Sequence, residues 1–187
     1  VSWDSLVRVW DIQKARKETE IRQHPKPVSS VAFHPDGFML VTGCWDGILR
    51  QWNVANGQRK SVMRGHLSSI KTVAYSADGR YIASCSIDGE CRLWNALAGS
   101  QVGLISARIS SIYFAPNGAS LTSAGNDGRV RVFSSTIGQC QMVIRNHTWG
   151  SVSSVIIHPD GEYVIAGYHS GSIRIFDIQN GTLEKEF

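Results

Sequence analysis

Short stretches in which apolar and polar residues alternate recur along the whole chain, first at 30–33, 38–42 and 48–52, then at 71–75, 81–84 and 91–94. Alternation with a period of two puts every second side chain on one face of an extended strand, and runs of this length bounded by Gly, Asp, Asn and Pro predict half-buried β-strands. The connectors repeat as well. Pro35-Asp36-Gly37, Ala77-Asp78-Gly79, Pro116-Asn117-Gly118 and Pro159-Asp160-Gly161 each join the first two strands of a unit. A second turn follows at Asp46-Gly47, Asp88-Gly89, Asp127-Gly128 and Ser170-Gly171, with Asp4-Ser5 as its degenerate counterpart. Glycine suits such hairpins because it accepts a positive φ without a Cβ clash. The second turns are spaced by 42, 42, 39 and 43 residues, and an aromatic residue stands six positions after each: Trp10, Trp52, Trp94, Phe133 and Phe176. No stretch sustains a helical period. The pattern therefore predicts an all-β chain of repeated four-stranded antiparallel units.

These units resemble the WD40 repeat family, whose blades carry a Gly-His near the start and a Trp-Asp at the end. Gly65-His66 with Trp94-Asn95 is the fullest match, and Trp10-Asp11 and Phe176-Asp177 keep the terminal dipeptide. Gln23-His24 and Asn146-His147 retain only the histidine, while the third full unit has Ile105 where histidine would fall and ends in Phe133-Ser134. The resemblance implies an incomplete β-propeller. Residues 1–22 read as the last two strands of a preceding blade, followed by blades at 23–64, 65–106, 107–145 and 146–187. A seven-bladed ring would need roughly 300 residues at this period, so further blades are expected from a parent chain on both sides. The absence of an initiating methionine agrees with an excerpt.

The family resemblance also implies a hydrogen-bonded network within a blade, linking a histidine, a strand hydroxyl, the turn aspartate and the terminal tryptophan. His24, Thr42, Asp46 and Trp52 match it, as do His66, Ser84, Asp88 and Trp94. By residue type these sets imitate a Ser-His-Asp relay. A hydrolase, however, needs its hydroxyl exposed beside an oxyanion hole, whereas this hydroxyl is expected to face an indole N–H inside the sheet. The expectation is a structural role and no catalysis, with Asp88 supporting its blade. The fourth unit has Ala166 for the hydroxyl and Ser170 for the aspartate, so it should depend more on apolar packing.

Composition changes the picture little. The 187 residues carry a net charge of +4 with Lys and Arg scattered, which permits an acidic partner without implying one. Arginine recurs two residues before each terminal aromatic, at Arg8, Arg50, Arg92, Arg131 and Arg174. A phosphate track is one reading of that row. The simpler one is a stem packed along the sheet with its head in water. Cys44, Cys85, Cys91 and Cys140 form no C-x-x-C pair and resemble neither a zinc site nor a disulfide framework, which favours a reducing, intracellular location in cytoplasm or nucleus. No apolar run approaches the ~18 residues of a membrane span. No metal or cofactor site is expected.

Three tryptophans, Trp3, Trp45 and Trp149, are not accounted for by the blade pattern. They fall in the loop leading into a first strand or in the turn between the second and third strands, which open on the same side of a blade. Trp3 and Trp45 precede the turn aspartate on consecutive blades and should be neighbours on the top face. The family resemblance makes these positions frequent partner contacts. The equivalent residues elsewhere are Ile87, Asn126 and His169, with Lys26, Ser68 and Arg108 at the starts of the first strands. The sequence thus predicts a non-catalytic scaffold that binds other proteins through its top face. The alternative is an RNA- or DNA-associated component of a ribonucleoprotein, such as a telomerase-associated protein.

Overall fold

The computed structural model describes residues 2–106, 109–118, 120–134, 138–145 and 150–187. Among these the regular structure is all strand, in one two-stranded hairpin and four four-stranded antiparallel sheets. The hairpin is β1 (Val7–Asp11) and β2 (Arg16–Ile21). The first full sheet holds β3 (Val28–Phe33), β4 (Met39–Cys44), β5 (Leu49–Asn53) and β6 (Arg59–Met63). The second holds β7 (Ile70–Tyr75), β8 (Tyr81–Ser86), β9 (Glu90–Asn95) and β10 (Gln101–Ser106). The third holds β11 (Ile109–Phe114), β12 (Ser120–Gly125), β13 (Val130–Ser134) and β14 (Cys140–Ile144). The fourth holds β15 (Val152–Ile157), β16 (Tyr163–Tyr168), β17 (Ile173–Asp177) and β18 (Leu183–Glu186). Strands follow sequence order within every sheet, so each connection is a hairpin. The sheets pack face to face in chain order as an open arc, with the first strands β3, β7, β11 and β15 adjoining.

The turn chemistry explains the hairpins. Gly47 takes φ 78° in the turn between β4 and β5, and the same position of the first hairpin is Ser5 at φ 64°, which an L-residue adopts only under strain. A third turn, between the last two strands, reveals what the terminal Asp or Asn does. Asn53 Oδ1 accepts the N–H groups of Ala55 and Asn56, Asn95 those of Leu97 and Ala98, and Asp177 those of Gln179 and Asn180. A short side chain ending in oxygen closes the loop as an Asx turn. Register shifts recur beside the aromatic, between Gln51 and Trp52, Val132 and Phe133, and Ile175 and Phe176. Such bulges increase the local twist.

The core lies between the sheets. Val41, Leu49 and Met63 of the first sheet pack with Ile70, Val73, Ile82 and Trp94 of the second. Gly43 permits this approach, since a Cβ there would lie 2.3 Å from Ile70 Cγ2. Polar stitches cross the same gap: Ser29 Oγ donates to Ile70 O at 2.6 Å, and Gln51 Nε2 to Ala96 O at 3.0 Å.

The cysteine spacing misled in one respect. Cys85 and Cys91 are directly opposed across the hairpin of β8 and β9 and are joined by a disulfide. Two cysteines six apart look unrelated in a linear sequence, but a tight turn brings that separation into register. The inference of a reducing compartment from spacing therefore loses this pair, while Cys44 and Cys140 are free thiols.

Candidate functional site

Within the first two full blades, three of the four network residues converge on one buried hydroxyl. Thr42 Oγ1 lies 2.9 Å from His24 Nε2 and accepts Trp52 Nε1–H at 2.9 Å. Ser84 Oγ lies 2.7 Å from His66 Nε2 and accepts Trp94 Nε1–H at 2.8 Å. Both hydroxyls are fully buried, so neither meets a substrate. Burial pushes the imidazoles of His24 and His66 down to about 4, helped by the Arg50 and Arg92 cations and opposed by the turn carboxylates.

The aspartates do not join these chains by a hydrogen bond. Asp46 is held by Arg50 through a two-point pair, Nη1 to Oδ1 at 3.2 Å and Nη2 to Oδ2 at 2.7 Å, with both side chains largely buried. Burial raises the Asp46 carboxyl, but the bonds from Arg50, Cys44 and Ile48 outweigh it and leave the group below its ordinary value. Asp88 is exposed and accepts the Glu90 N–H. For Asp46 the reason is geometric. An arginine four residues after the turn aspartate lies on the same strand face, and its planar fork fits both carboxylate oxygens better than one imidazole nitrogen does.

The row of arginines is corrected by the same observation. Arg8 pairs with Asp4, Arg50 with Asp46 and Arg131 with Asp127, always four residues apart. Arg92 pairs with Glu90, and Arg174 with Glu186. The heads are bound to carboxylates rather than left in water.

The top-face residues fall as follows. Trp45 N–H bonds Pro27 O, Ile87 N–H bonds Ser69 O and His169 N–H bonds Ser151 O, each at 3.0 Å. These bonds clamp the turn after the second strand onto the segment leading into the first and put both on one side of the blade. Trp3 and Trp45 meet edge to face with ring centroids 4.9 Å apart. Trp3 is 79% exposed and Trp45 37%, and with Ser2, Pro27, Val28 and Ser29 they line an open cleft of about 280 Å³. Lys26, Asn126 and His169 are exposed. Trp149 and Arg108 lie outside the described residues.

Leu67 escaped the sequence reading. It is 92% exposed in the loop after His66, and that loop is fastened to the Trp45 turn by Ser69 Oγ donating to Trp45 O at 2.9 Å. Ile87, 65% exposed, stands on the next turn. Trp3, Trp45, Leu67 and Ile87 therefore form an apolar series along three successive blades. An apolar residue directly after the histidine was the available signal.

The family model for the WD domain, G-beta repeat, matches residues 16–53, 57–95, 99–134 and 138–177. The chain belongs to the WD40 repeat family. Each matched WD40 segment starts on the last strand of one sheet and covers three strands of the next, as 16–53 runs from β2 to β5. Covalent repeats are thus offset from structural blades, and every repeat ties two neighbours together. A stretch of 75 residues is also 28% identical to telomerase protein component 1 of Rattus norvegicus, covering 40% of this WD40 chain and 3% of that protein.

Proposed function

We propose that this WD40 chain is a non-catalytic scaffold that binds other proteins through its top face, with Trp3, Trp45, Leu67 and Ile87 as apolar anchors. WD40 repeats indicate an interaction scaffold in general. The observation that carries the finer reading is the edge-to-face tryptophan pair left open beside its cleft. Contiguous exposed apolar groups, unlike single ones, mark interaction sites, and buried aromatic anchors supply about 2 kcal/mol or more at interface hot spots. Trp45→Ala and Leu67→Ser should weaken partner capture while melting stays unchanged. Normal capture by both variants would remove the top face from the proposal.

The similarity to telomerase protein component 1 favours a second reading, a place in a ribonucleoprotein. Pairing of the five arginines with carboxylates argues against a phosphate track at that row. Capture at rising salt separates the two, because phosphate contacts weaken steeply with ionic strength and apolar anchoring does not.

A further inference from the structure

Pairing within the blades sorts charges that the sequence scatters. The loops on the Trp45 side carry Asp4, Asp46, Asp88 and Asp127, and three of these are held by the arginine four residues on. Arg92 is taken by Glu90, Arg174 by Glu186 and Arg22 by Glu20. What is left on this side is cationic. Lys26, Arg64, Lys71 and Arg145 are exposed, and none has an ion pair among the described residues. The other side of the blades has the reverse sign. Its turns, which join first to second and third to last strands, hold Asp11, Asp36, Asp78, Asp160, Glu162 and Asp177 against Lys14 and Arg80 among the described residues.

The spare cations stand beside the apolar series. Lys26 O accepts the Cys44 thiol at 3.2 Å and Pro27 O accepts the Trp45 N–H at 3.0 Å, which fixes Lys26 next to the Trp45 turn. Arg64 opens the loop that carries Leu67. That loop is pressed onto the same turn, since a Cβ on Gly47 would lie 3.0 Å from both His66 O and Ser68 O. Lys71 borders a top-face cleft of about 550 Å³ with Ile87, but Asp88 lines it too and offsets the charge. The uncompensated positive charge next to Trp3, Trp45 and Leu67 is therefore that of Lys26 and Arg64.

We infer that the partner segment taken by this face is acidic, with apolar side chains seated on Trp3, Trp45 and Leu67 and Asp or Glu carboxylates meeting Lys26 and Arg64. The inference rests on the top-face reading proposed above and adds the chemistry of the partner. Opposite charge steers the encounter and discriminates against like-charged competitors, while apolar anchors supply the affinity. The acidic turns on the other side repel such a segment, so charge and apolar surface select the same face. Lys26 and Arg64 flanking apolar side chains suit carboxylates spaced along a peptide. A phosphate chain instead calls for a continuous row of cations.

Panning a random peptide library displayed on phage against the whole chain tests the inference. Selected peptides should be enriched in Asp and Glu next to Leu, Phe or Trp. Fluorescence anisotropy of one selected peptide should show at least about a tenfold loss of affinity for Lys26→Glu combined with Arg64→Glu. Lys14→Glu combined with Arg80→Glu makes the same change of charge on the other side and should leave affinity within about twofold. Thermal melting confirms that each variant folds. Enrichment of basic or uncharged peptides, or equal losses in the two double variants, would overturn the acidic assignment, and the top face would still stand if Trp45→Ala abolished binding. Binding that survives both Trp45→Ala and Leu67→Ser, or no enrichment at all, would overturn the top-face reading together with it. Single-stranded RNA bound more tightly than the selected peptide, with steep salt dependence, would assign these cations to nucleic acid and refute the inference.

Discussion

Acidification tests the buried histidine network most directly. His24 and His66 titrate at about 4 in the folded chain against an ordinary value of 6.5. Between those values the unfolded chain binds protons that the folded chain refuses, so stability rises with pH across the window and is lost as pH falls from 6.5 toward 4. One pKa unit is about 1.4 kcal/mol, which caps each ring at about 3.5 kcal/mol. Solvent screening near the loop surface brings this to about 1–2 kcal/mol per ring, or roughly 2–4 kcal/mol for the pair. Carboxylates such as Asp46 and Asp127 lie below their ordinary 3.8 and lose their contribution only at lower pH. Urea unfolding followed by tryptophan fluorescence at about pH 7 and about pH 4.5 measures the difference. His24→Gln should remove roughly half of the slope. Equal stability at both pH values, or an undiminished slope in His24→Gln with His66→Gln, would refute the reasoning.

Four further outcomes follow from packing and charge. Arg50→Ala should cost about 3–5 kcal/mol in urea unfolding because it leaves the largely buried Asp46 carboxylate uncompensated, whereas Arg8→Ala, at a more exposed pair, should leave the midpoint almost unchanged. Thr42→Val strands both the Trp52 N–H and the His24 nitrogen, and a loss of about 2–4 kcal/mol is expected in the same assay. Gly43→Ala forces a methyl against Ile70, and thermal melting should show a destabilisation of about 1–3 kcal/mol. Asp88→Ala, in contrast to the expectation from residue type, should change stability by less than about 1 kcal/mol, because its carboxylate is exposed and outside the histidine chain.

The repeat, the strands and the two main turns were legible in the sequence because each rests on local physics. Period-two alternation marks a strand with one face buried, and Asp-Gly marks a turn that needs a positive φ. The juxtaposition of Trp3 and Trp45 was legible too, since equal positions on consecutive repeats become neighbours once the repeats pack side by side. Leu67 was missed because a single apolar residue in a loop carries no periodic signal.

The sequence by itself determined the all-β repeat architecture, the blade order and which hydroxyls would meet an indole. Only the tertiary structure decided which partner each charged group took, and it gave Asp46 to Arg50 and Glu90 to Arg92. Those choices depend on strand register and side-chain reach to within an ångström, and residue spacing along a chain does not encode distances that fine.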